Sequence, residues 1–356
     1  MRINESFFLK NYMFDTTNIN FYDIKKTQEI QVYGLYNYKN ESQFKRLPDD
    51  VAKATSEQVS KLYTNPAGGR IRFNTNSKSL VIRATFPNIS TRSIITMLNQ
   101  AGFDVYKQIN GKQEFIGSLH PPIDLIDSYD KSINLGDGEK EITVYMPNYN
   151  NVSDVYIGIE KGAYIKPSRP YKNPKPILYY GSSITQGASV SRPGMIYEAI
   201  ISRALDTDFI NLGFASGAKA ENPIIDYMAN IEYSIFVSDY DYNAPTPEYL
   251  EATHRNMYEK IRSKHPDVPY ITLTKPIIHH NQRNEENKRR HDIIFNTYEN
   301  AIKNGDKNVY IIDGFEIFSL FESGDCSGDS VHPNDMGATV IAQNIIKLIK
   351  ERNLLK

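Results

Sequence analysis

The sequence predicts an α/β protein in two parts: a β-sandwich followed by a three-layer domain around a five-stranded parallel sheet. Three observations carry that prediction. The chain has 356 residues, too many for one ordinary domain and enough for two. As far as Ile165 its apolar runs are short and punctuated by turn residues. From Pro176 onward, apolar strand-like runs alternate with amphipathic helical ones.

In the first half, strands are expected at Glu29–Tyr33, Arg70–Asn74, Ser79–Phe86, Phe103–Lys107, Gln113–Gly117, Lys140–Met146 and Val155–Ile159. Turn signals separate them: Ala67-Gly68-Gly69, Asn110-Gly111, Gly136-Asp137-Gly138 and Asn148-Tyr149-Asn150-Asn151. Short strands with turns at this spacing suggest a sandwich. One helix is expected near Pro48–Leu62 and no long one after Lys61. Pro167, Pro170, Pro174 and Pro176 then suggest a stiff linker. The expected boundaries are a sandwich over 1–166, a linker over 167–176 and a second domain over 177–356.

In that second domain, strands are expected at Ile177–Tyr180, Asp208–Leu212, Tyr233–Val237, Tyr270–Thr274 and Val309–Ile312. Helices are expected at Met195–Leu205, Pro223–Asn230, Pro247–Lys264, Glu285–Asn304 and Asp335–Arg352. In the last, Ala338, Ile341, Ile345, Ile346 and Ile349 recur at helical spacing and form one apolar stripe. This alternation implies right-handed crossovers with helices on both faces, and an active site at the carboxyl ends of the strands.

Composition excludes several function classes. Net charge is −1, so no field favours nucleic acid or an anionic membrane. The run Lys288-Arg289-Arg290 reads as a solvated helix face. A single cysteine, Cys326, excludes an intrachain disulfide and a cysteine metal cluster, and reads as an incidental thiol near a loop. No stretch approaches a membrane span, and Met1-Arg2-Ile3-Asn4-Glu5 lacks the apolar core of a signal peptide. The expected location is cytoplasmic, or secreted if a leader has been removed. The Asn-x-Ser triplets at Asn40, Asn88 and Asn151 are expected by chance in so asparagine-rich a chain. The 25 tyrosines, with no tryptophan, are mostly accounted for as strand residues, though tyrosines also line sugar sites.

The residues that suggest chemistry lie where strands end. Gly181-Ser182-Ser183-Ile184-Thr185-Gln186-Gly187 follows the first strand of the second domain. A small-residue turn between a strand and a helix can expose a serine hydroxyl and aim backbone N–H groups at its target. Alone, Ser183 would be read as a helix cap. Asp329-Ser330-Val331-His332-Pro333-Asn334 precedes the last helix. Asp329 lies three residues before His332, so its carboxylate can reach Nδ1 and leave Nε2 to take the serine proton. Asn243 ends Ser238-Asp239-Tyr240-Asp241-Tyr242-Asn243 and offers an amide donor suited to an oxyanion. Asn211-Leu212-Gly213-Phe214-Ala215-Ser216-Gly217 has small residues that let a backbone N–H approach a substrate. His279-His280 reads as solvated or lid histidines, because adjacent side chains point apart and no carboxylate sits at ligand spacing.

Four of these segments, in this order, resemble the sequence blocks of the SGNH (GDSL-like) serine hydrolases. Block one resembles Gly181–Gly187 with Ser183 as nucleophile, block two Asn211–Gly217, block three Asp239–Asn243 and block five Asp329–Asn334. Arg46-Leu47-Pro48-Asp49-Asp50-Val51 and Leu62–Phe73 resemble the N-terminal module of one branch, in which a β-sandwich precedes the hydrolase. The resemblance implies a flavodoxin-like hydrolase domain after a jelly-roll-like sandwich. It implies a Ser183–His332–Asp329 triad, with oxyanion donors from Ser183, Ser216 and Asn243. Two residues depart from the pattern. Ser182 stands where an Asp usually precedes the serine, and Ser216 falls where the oxyanion glycine is expected, with Gly217 as the alternative donor.

The implied activity is hydrolysis of short-chain, chiefly acetyl, esters on carbohydrate or another acylated small molecule, with no metal or cofactor. A lipase or thioesterase on longer chains and a non-catalytic glycan-binding protein are the alternatives. No nucleic-acid or membrane partner is expected, and the sequence is compatible with an oligomer.

Overall fold

A computed structural model describes residues 16–321 and 324–355 of the chain; the side chain of His280 is not described. The stretch Met1–Glu5, read above for a signal core, lies outside the described residues. Elements are numbered in chain order.

The first ten strands are β1 (Ile19–Asp23), β2 (Gln31–Tyr33), β3 (Arg70–Thr75), β4 (Ser79–Thr85), β5 (Phe103–Ile109), β6 (Lys112–Leu119), β7 (Ser128–Asn134), β8 (Lys140–Tyr145), β9 (Asp154–Glu160) and β10 (Ile165–Lys166). They form two antiparallel sheets, β1-β9-β4-β7 and β10-β3-β8-β5-β6, with β2 paired to β3. The core lies between the two sheets. In the second sheet Ile71 pairs with Val144, Phe73 with Ile142 and Val105 with Val144. All five side chains are fully buried. Each such apolar cross-strand pair contributes about 0.2–1 kcal/mol.

The helix expected over Pro48–Leu62 is two helices, α1 (Asp49–Thr55) and α2 (Glu57–Leu62). Ser56 between them is extended, with φ −170° and ψ 163°, and its hydroxyl accepts the Val59 N–H at 3.2 Å. A serine that can bond the backbone ahead of it favours a new start over an unbroken helix. A one-turn helix, α3 (Met97–Ala101), follows.

The second domain contains β11 (Asn173–Gly181), α4 (Ser183–Gln186), α5 (Tyr197–Leu205), β12 (Thr207–Gly213), α6 (Asn222–Ala229), β13 (Ile235–Asp239), α7 (Pro247–Lys264), β14 (Tyr270–Leu273), α8 (Glu285–Lys303), β15 (Val309–Ile312) and α9 (Asp335–Glu351). Its five strands are parallel, in the order β12-β11-β13-β14-β15. One face packs Leu178, Tyr180, Leu212 and Phe236 against α6, α7 and α8. The other packs Ile177, Tyr179, Phe209 and Val237 against α5 and α9. The stripe on α9 is buried at Ala338, Ile341, Ile345 and Ile349, and partly buried at Ile346. The chain enters at β11, steps out to β12 and crosses back to β13, so the order reverses beside β11. Ligands bind at the carboxyl ends of strands at such a reversal.

The two domains are tied along the outer edge of β12. Arg70 on β3 is fully buried, lies over the Phe209 ring and donates to the Phe209 carbonyl at 3.0 Å. It also pairs with Asp208. Arg46 is fully buried over the Phe214 ring, and it donates to the carbonyls of Gly213 at 2.6 Å and Leu62 at 2.9 Å. In the proline-rich segment Tyr171 is buried against Tyr33 and Arg72. Among the described residues no helix is long and apolar enough to cross a membrane.

Candidate active site

Three strands end level with one another: Gly181 of β11 pairs in register with Gly213 of β12 and with Asp239 of β13. Both glycines are needed there for space. A Cβ on Gly181 would collide with the Asp239 carboxylate and the Thr185 hydroxyl, and one on Gly213 with the backbone of Thr185 and Gln186. The turn after β11 is therefore drawn tightly over its neighbours. Ser182 caps α4, its hydroxyl accepting the Ile184 N–H at 3.1 Å. Ser183 is the first helical residue, so its own N–H is one that no helical carbonyl can reach.

Asp239 supports this turn from below. Its Oδ1 accepts the Ser182 N–H at 3.0 Å and the Thr185 hydroxyl at 2.6 Å. Burial pushes its carboxyl up to about 7, against the pull of these hydrogen bonds. A carboxylate at position 182 is thus not required to organise the turn.

Ser183 and His332 are brought together. Ser183 Oγ lies 2.8 Å from His332 Nε2, and His332 Nδ1 lies 2.6 Å from Asp329 Oδ2. The other carboxylate oxygen, Oδ1, accepts the backbone N–H groups of His332 at 2.7 Å and Val331 at 3.0 Å. Burial works to raise the Asp329 carboxyl, but the bonds from the His332 backbone and ring and from Val331 outweigh it and hold it below its ordinary value. An ionised Asp329 calls for a proton on Nδ1, which leaves Nε2 to accept from the serine hydroxyl. Ser327 closes the loop: its hydroxyl accepts the Asp329 N–H at 3.2 Å and donates to the His332 carbonyl at 2.8 Å. Nothing in the sequence marked Ser327.

Ser216 follows β12 in the left-handed conformation, with φ +57°. It is exposed, and its N–H has no hydrogen-bond partner among the described residues. Gly217 is not in that conformation, and its N–H is spent on the Phe214 carbonyl at 2.9 Å. Of the two alternatives, the free donor is therefore at Ser216. Asn243 ends a short 3₁₀ turn, Tyr240–Asn243, and donates from Nδ2 to the Phe214 carbonyl at 2.9 Å. That bond holds the amide beside the Phe214–Ser216 loop and leaves its second hydrogen for a ligand.

The turn bearing Asn243 is braced by Arg290, which is buried rather than part of a solvated face. Its guanidinium reaches Asp241 Oδ1 at 3.1 Å and the Ala244 carbonyl at 3.0 Å. Lys288 and Arg289 remain exposed. Arg290 turns inward because α8 packs beside this turn and the buried Asp241 needs a cation. Gln186, fully buried, accepts the Ala215 N–H at 2.9 Å and donates to the Asn148 carbonyl at 3.2 Å. Its place within the serine motif is the only sequence signal for it.

His279 lies against Gly324. Among the described residues no group of three His, Cys, Asp or Glu could hold a metal ion. Cys326 is buried, and burial pushes its thiol up, away from the reactive thiolate.

Comparison with known proteins bears on both domains. The model of the GDSL-like lipase/acylhydrolase family matches residues 174–350. That of the N-terminus of SGNH-hydrolase-type esterases matches residues 19–165. A Bacteroides ovatus protein named as a GDSL-like lipase is 31% identical, with a TM-score of 0.85 over 95% of this chain and 99% of that one. Two more distant structures share the fold. A salicylyl-acyltransferase from a tetracycline biosynthetic pathway is 18% identical, with a TM-score of 0.74, covering 95% of this chain and 99% of its own. An acetyl xylan esterase from the rumen bacterium Butyrivibrio proteoclasticus is 12% identical, with a TM-score of 0.59, covering 94% and 99%. No curated protein matches the sequence.

Proposed function

The chain belongs to the GDSL-like lipase/acylhydrolase family, and from that premise we propose that it is a serine esterase releasing short acyl groups, chiefly acetyl, from carbohydrate. The observation that carries the proposal is the unbroken hydrogen-bond chain Ser183–His332–Asp329, at 2.8 and 2.6 Å.

His332, oriented by Asp329, takes the Ser183 proton as the hydroxyl attacks the ester carbonyl. The tetrahedral oxyanion is received by the N–H groups of Ser183 and Ser216 and by the Asn243 amide. His332 returns the proton to the leaving alcohol. Water, deprotonated by the same imidazole, then attacks the acyl-serine and releases the acid. The chemistry needs no metal or cofactor.

Carbohydrate as the substrate class is supported by two points. A β-sandwich packs beside the site, with Gln58, Asn65 and Asn148 reaching its loops. The same two-domain fold occurs in the acetyl xylan esterase and in family two carbohydrate esterases, one of them studied in complex with cellohexaose.

The test is hydrolysis of p-nitrophenyl esters from acetyl to octanoyl, followed by an acetate-release screen over acetylated oligosaccharides. The proposal expects an optimum at acetyl and loss of turnover in Ser183→Ala. An optimum at octanoyl would make the protein a lipase or thioesterase. An unreactive Ser183 towards a fluorophosphonate would make it a binding protein.

A further inference from the structure

We propose that Gln58, on the N-terminal domain, is a positioning residue of the oxyanion hole in the second domain. The inference rests on the esterase reading of the site. Gln58 lies on α2, and its side-chain Nε2 donates to the Ala215 carbonyl at 2.9 Å. That carbonyl and the Ser216 N–H are the two ends of one planar peptide unit. Holding the oxygen therefore fixes the direction of the N–H on the opposite side, and that N–H is the donor left free for the oxyanion.

Three further features converge on this peptide. The neighbouring N–H, of Ala215, is bound by Gln186 Oε1 at 2.9 Å, so the loop is held on both sides of the Ala215 α-carbon. Ser216 has φ +57°, a conformation that a non-glycine residue leaves unless its surroundings hold it. Gly217 has no side chain where a Cβ would come within 3.1 Å of Gln58 Cγ, so the stem of Gln58 lies against this loop. Helix α2 is itself tied to block two. Arg46 bonds the Leu62 carbonyl at the end of α2 and the Gly213 carbonyl at the end of β12 with one guanidinium. A hydrogen bond received at a peptide oxygen also polarises the N–H across from it, which strengthens the donor.

A purely structural role, docking one domain on the other, would change stability and leave turnover alone. A positioning role changes kcat. The test compares Gln58→Met, which keeps length and loses the donor, with Gln58→Lys, which keeps a donor at similar reach. Each is measured for kcat and KM on p-nitrophenyl acetate, for Tm, and for amide hydrogen exchange over residues 212–218. The expected result for Gln58→Met is a fall in kcat of about tenfold, a fraction of the loss on deleting a donor outright, with KM changed by less than about twofold. Exchange over 212–218 should quicken, and Gln58→Lys should retain more turnover than Gln58→Met. A Gln58→Met variant with kcat within about twofold of wild type and unchanged exchange overturns the proposal. If the wild type cleaves no ester, the esterase reading falls. Exchange over 212–218 then still decides whether Gln58 holds the loop.

Discussion

The two walls of the candidate site are built in different ways. On one side, Asp329 and His332 lie three residues apart on a loop that satisfies its own polar groups through Asp329 Oδ1 and Ser327. On the other, the Phe214–Ser216 loop is held by Asn243, itself braced by Arg290 from α8, and by Gln186. It is also held by Gln58 from the other domain. The wall proposed for proton transfer is mostly local, with Gln282 Nε2 adding a bond to the Ser330 carbonyl at 2.8 Å. The wall proposed to receive the oxyanion is assembled from segments far apart in sequence, so it is the one that depends on how the domains meet.

Substitutions put this contrast to the test. The largest expected effect is at the serine that the local wall serves: Ser183→Ala should lower kcat/KM by at least about 10⁴-fold, read with p-nitrophenyl acetate. A residual rate near wild type would remove Ser183 from the mechanism. On the assembled wall, Asn243→Ala should cost about 10²–10³ in kcat with little change in KM. A loss below tenfold would place oxyanion stabilisation in the backbone donors alone.

Asp239, which supports the serine turn, makes stability depend on pH. Its folded value, about 7, lies above its unfolded one, so the folded protein holds a proton that the unfolded chain has released. Stability from this group is full below about pH 4 and is lost as pH rises through about 7, by at most about 1.4 kcal/mol per pH unit. Asp239→Asn removes that slope, so its Tm relative to wild type should rise between pH 5 and pH 8. A constant difference would show that Asp239 does not titrate there. The smallest effect is expected at Ser216. Ser216→Gly relieves a left-handed serine and should stabilise the protein by about 1 kcal/mol, read as a Tm rise of about 2 °C. Its kcat should stay within a few-fold of wild type, because the N–H is retained.

The parallel domain was largely legible because buried strands and amphipathic helices alternate there with clear periods; Pro247–Lys264 was expected and found with the same ends. In the sandwich, β1, β7 and the two-residue β10 were missed. β7 reads Ser-Tyr-Asp-Lys-Ser-Ile-Asn and lies at a sheet edge, where polar residues protect the strand and erase its alternation. The break at Ser56 was hidden because a capping serine also fits inside a helix. In the site, Ser183, Asp329 and His332 could be found from short motifs. The left-handed conformation of Ser216 was not legible, since a dihedral angle is set by the partners of the peptides around it. Those partners, Gln58 and Gln186, lie 157 and 29 residues away from Ala215. Arg290 was misread for the same reason, since its partner Asp241 is 49 residues away.

Strand β12 is the last of its sheet, and its outer side is covered by the sandwich. Arg70 occupies the Phe209 carbonyl there, and Gly34 approaches so closely that a Cβ on it would meet the same oxygen at 3.2 Å. A strand edge left bare is a template for pairing with another molecule, the first step towards precipitation. A chain cut to begin at β11 would leave that edge bare. The sandwich therefore acts as a built-in guard against self-association, and trimming the protein to its hydrolase half should yield material that clumps.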